Sequence, residues 1–300
     1  MRQIACGLLA AGLIVTTATA QAQELGSASF LKQARLVAAD LARSSSTLAA
    51  QAPAPAARPV KVTGAFDFPT LYIFRGIRQE FDADLTFQPW VNLAYTASPT
   101  VTLNVGSWNS IHSGSNSDED VYDGTFYETD FYVSGAFATG KVTSTLLYTA
   151  YMSPIDAFGP VHEIAYTAGF NDSENGVPVA PAVTVAFELG DKSADAGANK
   201  GIYLELAATP AIPMGDDPPL TLTVPIKLGM SLKDYYENPL TGEDSTFGYF
   251  SIGLMALKSL SPNLDIHGGV LIYGFGDTLK LFNNDESSQV VGTIGLGFSF

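Results

Sequence analysis

The sequence predicts an all-β protein: a transmembrane antiparallel β-barrel of about 12 strands with a short N-terminal helical extension. From Val60 onward apolar and polar residues alternate with a period of two, the period of side chains along a β-strand. The final run, Val290 to Phe300, keeps this alternation, and the first 22 residues have the pattern of a removable signal peptide. No later run has the roughly 18 apolar residues of a membrane helix. Because lipid satisfies no backbone hydrogen bonds, a membrane protein with this sequence has to form a closed barrel.

The signal peptide is predicted for residues 1–22. Arg2 supplies a short basic region, and an apolar stretch from Ile4 to Val15 follows, too short to span a bilayer as a helix. Small residues at Ala18, Ala20 and Ala22 fit a cleavage site. Cys6, the one cysteine, leaves with the signal, which excludes disulfides and thiolate chemistry from the mature chain.

The mature chain is predicted to have two parts. Residues 23–51 are rich in Ala and Leu, and their apolar residues recur at spacings of three and four, which favours a helix. Residues 52–59 form a proline-punctuated linker, and residues 60–300 form the barrel. The helical extension fits a periplasmic extension, a plug, a weak oligomerisation segment, or a helix with no specific task.

Twelve alternating runs predict the barrel strands, and tight turns alternate with longer polar loops between most of them. A soluble antiparallel sandwich would explain the alternation equally well, but it would not explain the signal peptide together with the aromatic terminal strand. The predicted strands are 60–68, 85–97, 100–111, 127–138, 142–152, 161–170, 182–190, 201–209, 219–230, 247–258, 263–275 and 289–300.

Parity along each run predicts which side chains face lipid and which face the lumen. The apolar residues fall on one face and the charged residues on the other, so the charged residues are expected inside. Tyrosines at 95, 127, 148, 166, 203 and 249 are expected in aromatic girdles. The candidate pore-lining residues are Asp67, Arg75, Glu128, Asp130, Glu163, Glu188, Glu205, Lys227 and Asp265.

An acidic lumen of this kind predicts a preference for cations if the interior is wet. The alternative is a closed polar core in which the carboxylates pair with Lys61, Lys227, Arg75 and Arg78. A barrel of 12 strands is narrow enough for either outcome.

The most distinctive motif is L-Y-I-F-R-G-I-R-Q at residues 71–79. Through its Tyr72, Phe74, Arg75, Gly76 and Ile77, residues 60–300 resemble the TorF family, uncharacterised proteobacterial proteins assigned as porins. Arg78 stands where that family usually has a small polar residue. The resemblance implies an outer-membrane barrel with porin-like transport.

The terminal strand also resembles the closing strand of bacterial outer-membrane barrels, in which it serves as the assembly signal. That resemblance implies that Phe298 and Phe300 are read by the barrel-assembly machinery. Outer-membrane lipid and lipopolysaccharide are the other expected partners. The expected cargo is small solutes, and the expected location is the bacterial outer membrane.

Other functions find little support in the sequence. A formal net charge of -15 argues against a nucleic-acid partner. The three histidines lack metal-ligand spacing, so neither a metal nor a cofactor is expected, and the acidic run at 117–120 fits a solvated loop better than a Ca²⁺ site. A remote alternative is an outer-membrane esterase or lipase built on His112, but Gly114 stands where such enzymes have Ser, so no catalytic residue is assigned. The expected function is a small-solute channel, and the alternative is a non-conducting structural or surface-interaction barrel.

Overall fold

The computed structural model describes residues 59–80, 82–115, 124–195, 197–214 and 220–300. The predicted signal peptide, the helical extension, nearly all of the linker and the acidic run at 117–120 therefore lie outside the described residues. No helix in the described part of the chain is long and apolar enough to cross a membrane. The strands are β1 Val60–Pro69, β2 Ile73–Phe74, β3 Ile77–Arg78, β4 Asp82–Ser98, β5 Val101–Ser115, β6 Glu128–Thr139, β7 Val142–Met152, β8 Val161–Phe170, β9 Ala182–Leu189, β10 Ile202–Ala208, β11 Ala211–Met214, β12 Leu220–Thr223, β13 Ile226–Lys233, β14 Phe247–Ser261, β15 Leu264–Phe275 and β16 Ser288–Ser299, and one short helix, α1, spans Asp277–Leu281.

The strands form a closed antiparallel barrel. β1 pairs with β4 on one side and with β16 on the other, and pairing of β14 with both β13 and β15 completes the ring. Two barrel strands are interrupted by proline, which cannot donate to a strand ladder: Pro210 separates β10 from β11, and Pro225 follows the end of β12. When each interrupted pair is counted as one strand, the ring has the 12 strands that the sequence predicts, and its closure excludes the sandwich.

The outward face is apolar, and the polar and charged side chains of the strands face inward, as parity predicts. On β4, Leu85 and Val91 are exposed outward, while Thr86, Gln88 and Asn92 are buried inside. Large apolar side chains are exposed outward all round the barrel, for example Val105, Phe131, Val133, Leu146, Leu254 and Ile294. An apolar belt that continues all round the barrel is favourable in contact with lipid and unfavourable in contact with water. The chain is an outer-membrane β-barrel.

The two ends of the barrel differ. One, here called the terminal end, carries Val60, Phe300 and the tight turns after β4, β6 and β14. The opposite loop end carries the connections after β1, β5, β7, β9, β13 and β15. Outer-membrane barrels keep short turns in the periplasm and long loops outside, so we assign the loop end to the cell exterior. The connection at 171–181 is longer than this pattern predicts, although it lies at the terminal end.

The girdle prediction is wrong for three of the six tyrosines. Tyr95, Tyr148 and Tyr166 are exposed outward, whereas Tyr127, Tyr203 and Tyr249 are buried inside the barrel. On β10 the reason is parity, because Tyr203 shares the inward face with Glu205. The hydroxyls of Tyr203 and Tyr249 find buried polar partners there, which phenylalanine could not use.

Candidate functional site

The loop-end half of the lumen is filled by residues 71–80, here called the plug hairpin. It consists of β2 and β3, joined by the two residues Arg75 and Gly76. Both have positive φ, +48° and +83°, the geometry of a tight type I′ turn. Leu71, Ile73 and Ile77 are buried in the apolar cluster that this half of the barrel encloses. The segment that the sequence predicts as a loop therefore folds inward as a plug.

Arg75 fastens the tip of the plug hairpin to the barrel wall. Its Nη1 and Nη2 donate to the two carboxylate oxygens of Glu163 on β8, at 2.5 and 2.7 Å, and Nη1 also donates to the Tyr235 hydroxyl at 2.7 Å. The guanidinium lies 4.2 Å from the centre of the Tyr203 ring. A two-point ion pair combined with a cation–π contact fixes both the position and the orientation of the side chain.

Two connections at the loop end cover the plug hairpin. The Tyr236 hydroxyl donates to the carbonyl oxygen of Arg75 at 2.9 Å, and Asn283 Nδ2 donates to that of Gly76 at 2.8 Å. Leu279 on α1 packs so closely that a Cβ added at Gly76 would lie 2.7 Å from its Cδ1. The turn needs glycine here for φ and also for close packing.

The base of the plug hairpin ends in a buried polar network centred on Glu80. This carboxylate accepts from the backbone N–H of Tyr72 at 2.6 Å and from the Thr86 hydroxyl at 2.8 and 2.9 Å. His112 Nε2 lies 3.3 Å from Glu80 and 2.7 Å from Ser110 Oγ. A Ser–His–acid triad uses opposite ring nitrogens for the acid and the serine, whereas here both partners meet the same nitrogen of a fully buried ring.

A second ion pair lies beside the first, between Lys227 on β13 and Glu205 on β10. Lys227 Nζ is 2.9 Å from Glu205 Oε1. The hydroxyls of Tyr203 and Tyr249 donate to Glu205 Oε2 at 2.9 and 3.1 Å. Glu205 is thus fully hydrogen-bonded although it is buried, which is the condition for a buried charge to be tolerated.

Other inward carboxylates are held by backbone N–H groups. Glu188 accepts from Ala194 and Gly201, each at 2.6 Å. Asp195, in the loop after β9, accepts from Glu237 at 2.9 Å, and burial raises the pKa of its carboxyl above the usual value. These contacts tie the loop-end connections to one another.

A histidine lies between two carboxylates on the opposite wall. His267 Nε2 is 2.5 Å from Asp67 on β1, and its Nδ1 is 3.3 Å from Asp265 on its own strand. Trp90 Nε1 donates to the other Asp67 oxygen at 3.1 Å. Gly295 on β16 makes room for this cluster, since a Cβ there would overlap both Asp67 and His267.

The terminal-end half of the lumen is open. A cavity of about 500 Å³, here called the terminal cavity, is lined by inward residues of β1, β4, β5, β6 and β7 and by Asp265. Its wall is made of small and mostly uncharged side chains, among them Thr63, Asn92, Asn104, Ser134 and Thr145. The lumen thus has an open cavity toward the terminal end and a packed plug toward the loop end.

The predicted pore-lining residues fall into three groups in the structure. Glu163, Glu205, Lys227 and the carboxylates Asp67, Glu128, Asp130 and Glu188 face inward from the strands and are buried. Arg75 lies on the plug hairpin rather than on a strand. Asp265 alone among the nine lines the terminal cavity. The structure thus brings most of the set around the plug, and their role in a conducting pore stays a prediction.

Sequence reasoning assigned no role to several residues of this site: Glu80, Tyr235, Tyr236, His267 and Asn283. Their partners lie on distant strands and loops, and the local sequence does not predict these contacts. The hairpin itself does have a sequence signal: Arg75 and Gly76 lie between apolar Ile73-Phe74 and apolar Ile77, a pattern that fits a two-residue turn. Within the described residues, no group of three or more His, Cys, Asp or Glu side chains could hold a metal ion.

Asp172 fixes the 171–181 connection at the rim of the terminal cavity. Its two carboxylate oxygens accept from the backbone N–H groups of Val179 and Ala180, at 2.8 and 2.9 Å. Burial acts to raise the pKa of Asp172, but these N–H donors outweigh it and hold the pKa below its usual value. A carboxyl with a lowered folded-state pKa stabilises the fold above its unfolded pKa of about 3.9, and this contribution is lost as the pH falls through the folded pKa.

We therefore expect Asp172→Ala to loosen this connection at neutral pH, because each charge-assisted hydrogen bond is worth about 1.5–3 kcal/mol. Hydrogen exchange at the Val179 and Ala180 amides, corrected for the intrinsic rate, should be at least about tenfold faster, since about 1.4 kcal/mol is a factor of ten. Wild-type protein should show the same loosening in acid, below about pH 4. Glu174→Ala is the control, because Glu174 is an exposed carboxyl on the same connection. Equal exchange in both variants would contradict the role of Asp172.

No protein-family model matches the sequence, and no curated protein matches it. Several solved outer-membrane barrels are similar in fold. The COG4313 outer membrane channel from Pseudomonas putida F1 has 10% identity and a TM-score of 0.48, over 84% of this chain and 100% of that one. The NanC porin has 9% identity and a TM-score of 0.45, over 80% of this chain and 98% of that one. The translocator domain of the autotransporter NalP from Neisseria meningitidis has 12% identity and a TM-score of 0.42, over 91% and 98%. Likenesses this distant carry no argument about function, and the resemblance to the TorF family stays a prediction.

Proposed function

We propose that this protein is an outer-membrane channel for small solutes, with its path through the barrel lumen and its constriction at the plug hairpin. The observation that carries the proposal is the terminal cavity, a space of about 500 Å³ between the barrel walls that is lined by small, mostly uncharged side chains. A barrel with a purely structural task would gain stability by filling this space with side chains. The resemblance of residues 71–79 to the TorF motif supports the same function.

The proposed channel prefers cations. Around the plug, carboxylates outnumber cationic side chains, which are represented by Arg75, Arg78 and Lys227. A solute that passes this level meets a net negative field in a narrow, poorly screened space, which favours positive ions.

Planar-bilayer recording of the refolded mature protein tests both statements. We expect discrete conductance steps, and a cation-biased reversal potential in a salt gradient. An anion-biased reversal potential would contradict the preference. A barrel that is folded by the criterion of heat-modifiable gel migration, yet silent at all voltages, would contradict the channel itself.

The second candidate is a non-conducting barrel with a structural or surface-interaction role. The Arg75–Glu163 and Lys227–Glu205 pairs favour it, because buried and fully bonded ion pairs are typical of a closed core. The silent outcome of the recording would select this candidate.

We propose no enzymatic role. The burial of His112 and the meeting of Ser110 and Glu80 at one nitrogen support this, since a lipid ester has no route to that serine. Hydrolysis of phospholipid by the purified protein would contradict it.

Three further partners belong to the proposal: the barrel-assembly machinery, outer-membrane lipid and lipopolysaccharide. The ring centres of Phe298 and Phe300 lie 6.1 Å apart with the rings tilted, and the ring of Phe298 also lies 5.8 Å from that of Phe66 on the outward face. This aromatic edge of β16 is a suitable surface for the barrel-assembly machinery, and the apolar belt and loop-end carboxylates suit outer-membrane lipid and cation-bridged lipopolysaccharide.

A further inference from the structure

The chain enters the barrel wall at the mouth of the terminal cavity. β1 begins at Val60 at the terminal end, and the next residue, Lys61, already lines the cavity. The backbone N–H of Thr96, another residue of the cavity wall, donates to the carbonyl oxygen of Pro59 at 2.7 Å. The part of the mature chain that precedes Pro59 is therefore joined to the barrel at the cavity mouth.

The wall of the terminal cavity suits an uncharged and largely apolar occupant. Most of its exposed surface is apolar, and among the described residues that line it only Lys61 and Asp265 are charged. Its side chains are small and include five alanines, Ala94, Ala136, Ala138, Ala180 and Ala182. Because a charged group would lose hydration against such a wall, an uncharged occupant with small side chains fits it best.

The sequence supplies such an occupant directly before the barrel. Residues 44–57 contain no charged side chain, whereas residues 24–43 contain five, Glu24, Lys32, Arg35, Asp40 and Arg43. The stretch nearest the barrel, residues 48–57, reads L-A-A-Q-A-P-A-P-A-A and is here called the Ala/Pro segment. Leu48 is its one large apolar side chain, so its composition matches the small, apolar cavity wall.

The Ala/Pro segment is long enough to reach the inner end of the cavity. The cavity wall on β5 extends from Thr100 to Asn104, which is about 13 Å at about 3.3 Å per residue of strand. A proline-rich chain spans about 3.1 Å per residue, so residues 48–57 can turn at the mouth and still cover this depth. A short tether also holds the segment at an effective concentration on the order of millimolar, which favours it over a free partner or a second copy of equal intrinsic affinity.

We propose that the Ala/Pro segment docks in the terminal cavity and closes the barrel from the terminal end. Leu48 and the alanine methyl groups of the segment contact the small apolar side chains of the wall, and Arg58 stays at the mouth in water. The inference rests on the proposed channel function and gives its regulation, because the path is open only when the segment has left the cavity.

A single thiol in the cavity wall reports whether the segment is docked. Cys6, the one cysteine of the chain, lies in the predicted signal peptide, so the refolded mature protein has none. Thr145→Cys places a thiol of similar size at a half-buried position of the wall. The rate of its reaction with a water-soluble maleimide then measures access to the cavity in the full mature chain.

Charged substitutions in the Ala/Pro segment should expel it. In the Thr145→Cys protein, the pair Ala52→Asp and Ala54→Asp should speed labelling at least tenfold and increase the open time in bilayer recordings, because two carboxylates do not leave water for an apolar wall. The matched control is the pair Gln33→Asp and Ala38→Asp, which adds the same charge outside the segment and should change neither quantity.

Two further variants complete the design. Asn175→Cys, at an exposed position outside the cavity wall, should label at the same rate with and without either aspartate pair. Ala136→Cys lies opposite Thr145 on the neighbouring strand and repeats the test if Thr145→Cys does not fold by heat-modifiable migration.

The outcomes separate this inference from the function on which it rests. Equal labelling of the cavity thiol with and without Ala52→Asp and Ala54→Asp, in a barrel that conducts, overturns the docking and leaves the channel standing. Equally fast labelling in the control pair overturns the assignment to the Ala/Pro segment, and protection that disappears on dilution overturns it in favour of a second copy. Labelling that only Ala52→Asp and Ala54→Asp accelerate, in a barrel that never conducts, supports the docking and overturns the channel.

Discussion

Replacing Glu163 by Gln should release the plug hairpin and raise the conductance of the barrel. In the native lumen, Glu163 holds the Arg75 guanidinium at two points, and the two side chains are 2% and 11% exposed. The substitution keeps the volume but leaves a buried cation without its anion, a change that typically costs about 3–5 kcal/mol. The hairpin can avoid most of this cost by withdrawing Arg75 toward water, which opens the constriction. Single-channel recording should show larger or longer openings than in the wild type.

The matched control for this substitution is Glu174→Gln. Glu174 also pairs with a cation, Lys141 at 2.7 Å, but both side chains are largely exposed at the terminal end. An exposed pair of this kind contributes at most about 1 kcal/mol, so conductance and unfolding temperature should stay close to those of the wild type. Unchanged conductance in both variants, with both barrels folded, would show that the Arg75–Glu163 pair does not hold a gate.

Replacing Gly76 by Ala should displace the tip of the plug hairpin from its seat. The added Cβ would lie 2.7 Å from Leu279 Cδ1 and 2.8 Å from Tyr249 Cδ1, both buried side chains. Overpacking of this kind costs about 1–3 kcal/mol. The positive φ of +83° adds about 1–2 kcal/mol for a residue with a Cβ. We expect a lower temperature for the heat-modifiable gel shift, together with higher conductance.

Gly190→Ala distinguishes the effect of close packing from the effect of positive φ. Gly190 has nearly the same φ, +79°, yet nothing lies within 4 Å of an added Cβ. This variant should carry the backbone cost alone and should leave conductance unchanged. If the two variants behave alike, close packing of the plug hairpin against α1 and β14 is not what holds it in place.

Most of the barrel could be predicted from the sequence because strand parity is a local property. On β4 and β13 each predicted face matches the observed one, and Glu205 and Lys227 point inward as their neighbours require. Strand ends were predicted closely where a turn residue marks them, as at Gly140 between β6 and β7. Two features at prolines were missed: β11, which continues the barrel after Pro210, was not predicted as a strand, and the run predicted as one strand at 219–230 is interrupted at Pro225, which has no N–H to donate.

The candidate site was predicted only in part. The inward direction of Glu163 followed from parity, but its partner Arg75 lies 88 residues away on a segment that the sequence presents as a loop. Tyr235 and Tyr236 likewise sit on a loop and become part of the site only because that loop packs over the lumen. Tyr203 and Tyr249 were assigned to girdles, because an aromatic near a strand end has two possible neighbours, lipid headgroups or the lumen core.

By itself, the sequence determined the class of fold, the number of barrel strands and the side chains that face lipid. These follow from a period of two and from the rule that lipid leaves no backbone group unpaired, both of which act along the chain. Only the tertiary structure decided that residues 71–80 enter the lumen, that Glu163 and Glu205 pair there with Arg75 and Lys227, and that a cavity remains toward the terminal end. The reason is that these features depend on contacts between residues far apart in sequence, whose energies are set by the distance and burial that barrel closure imposes.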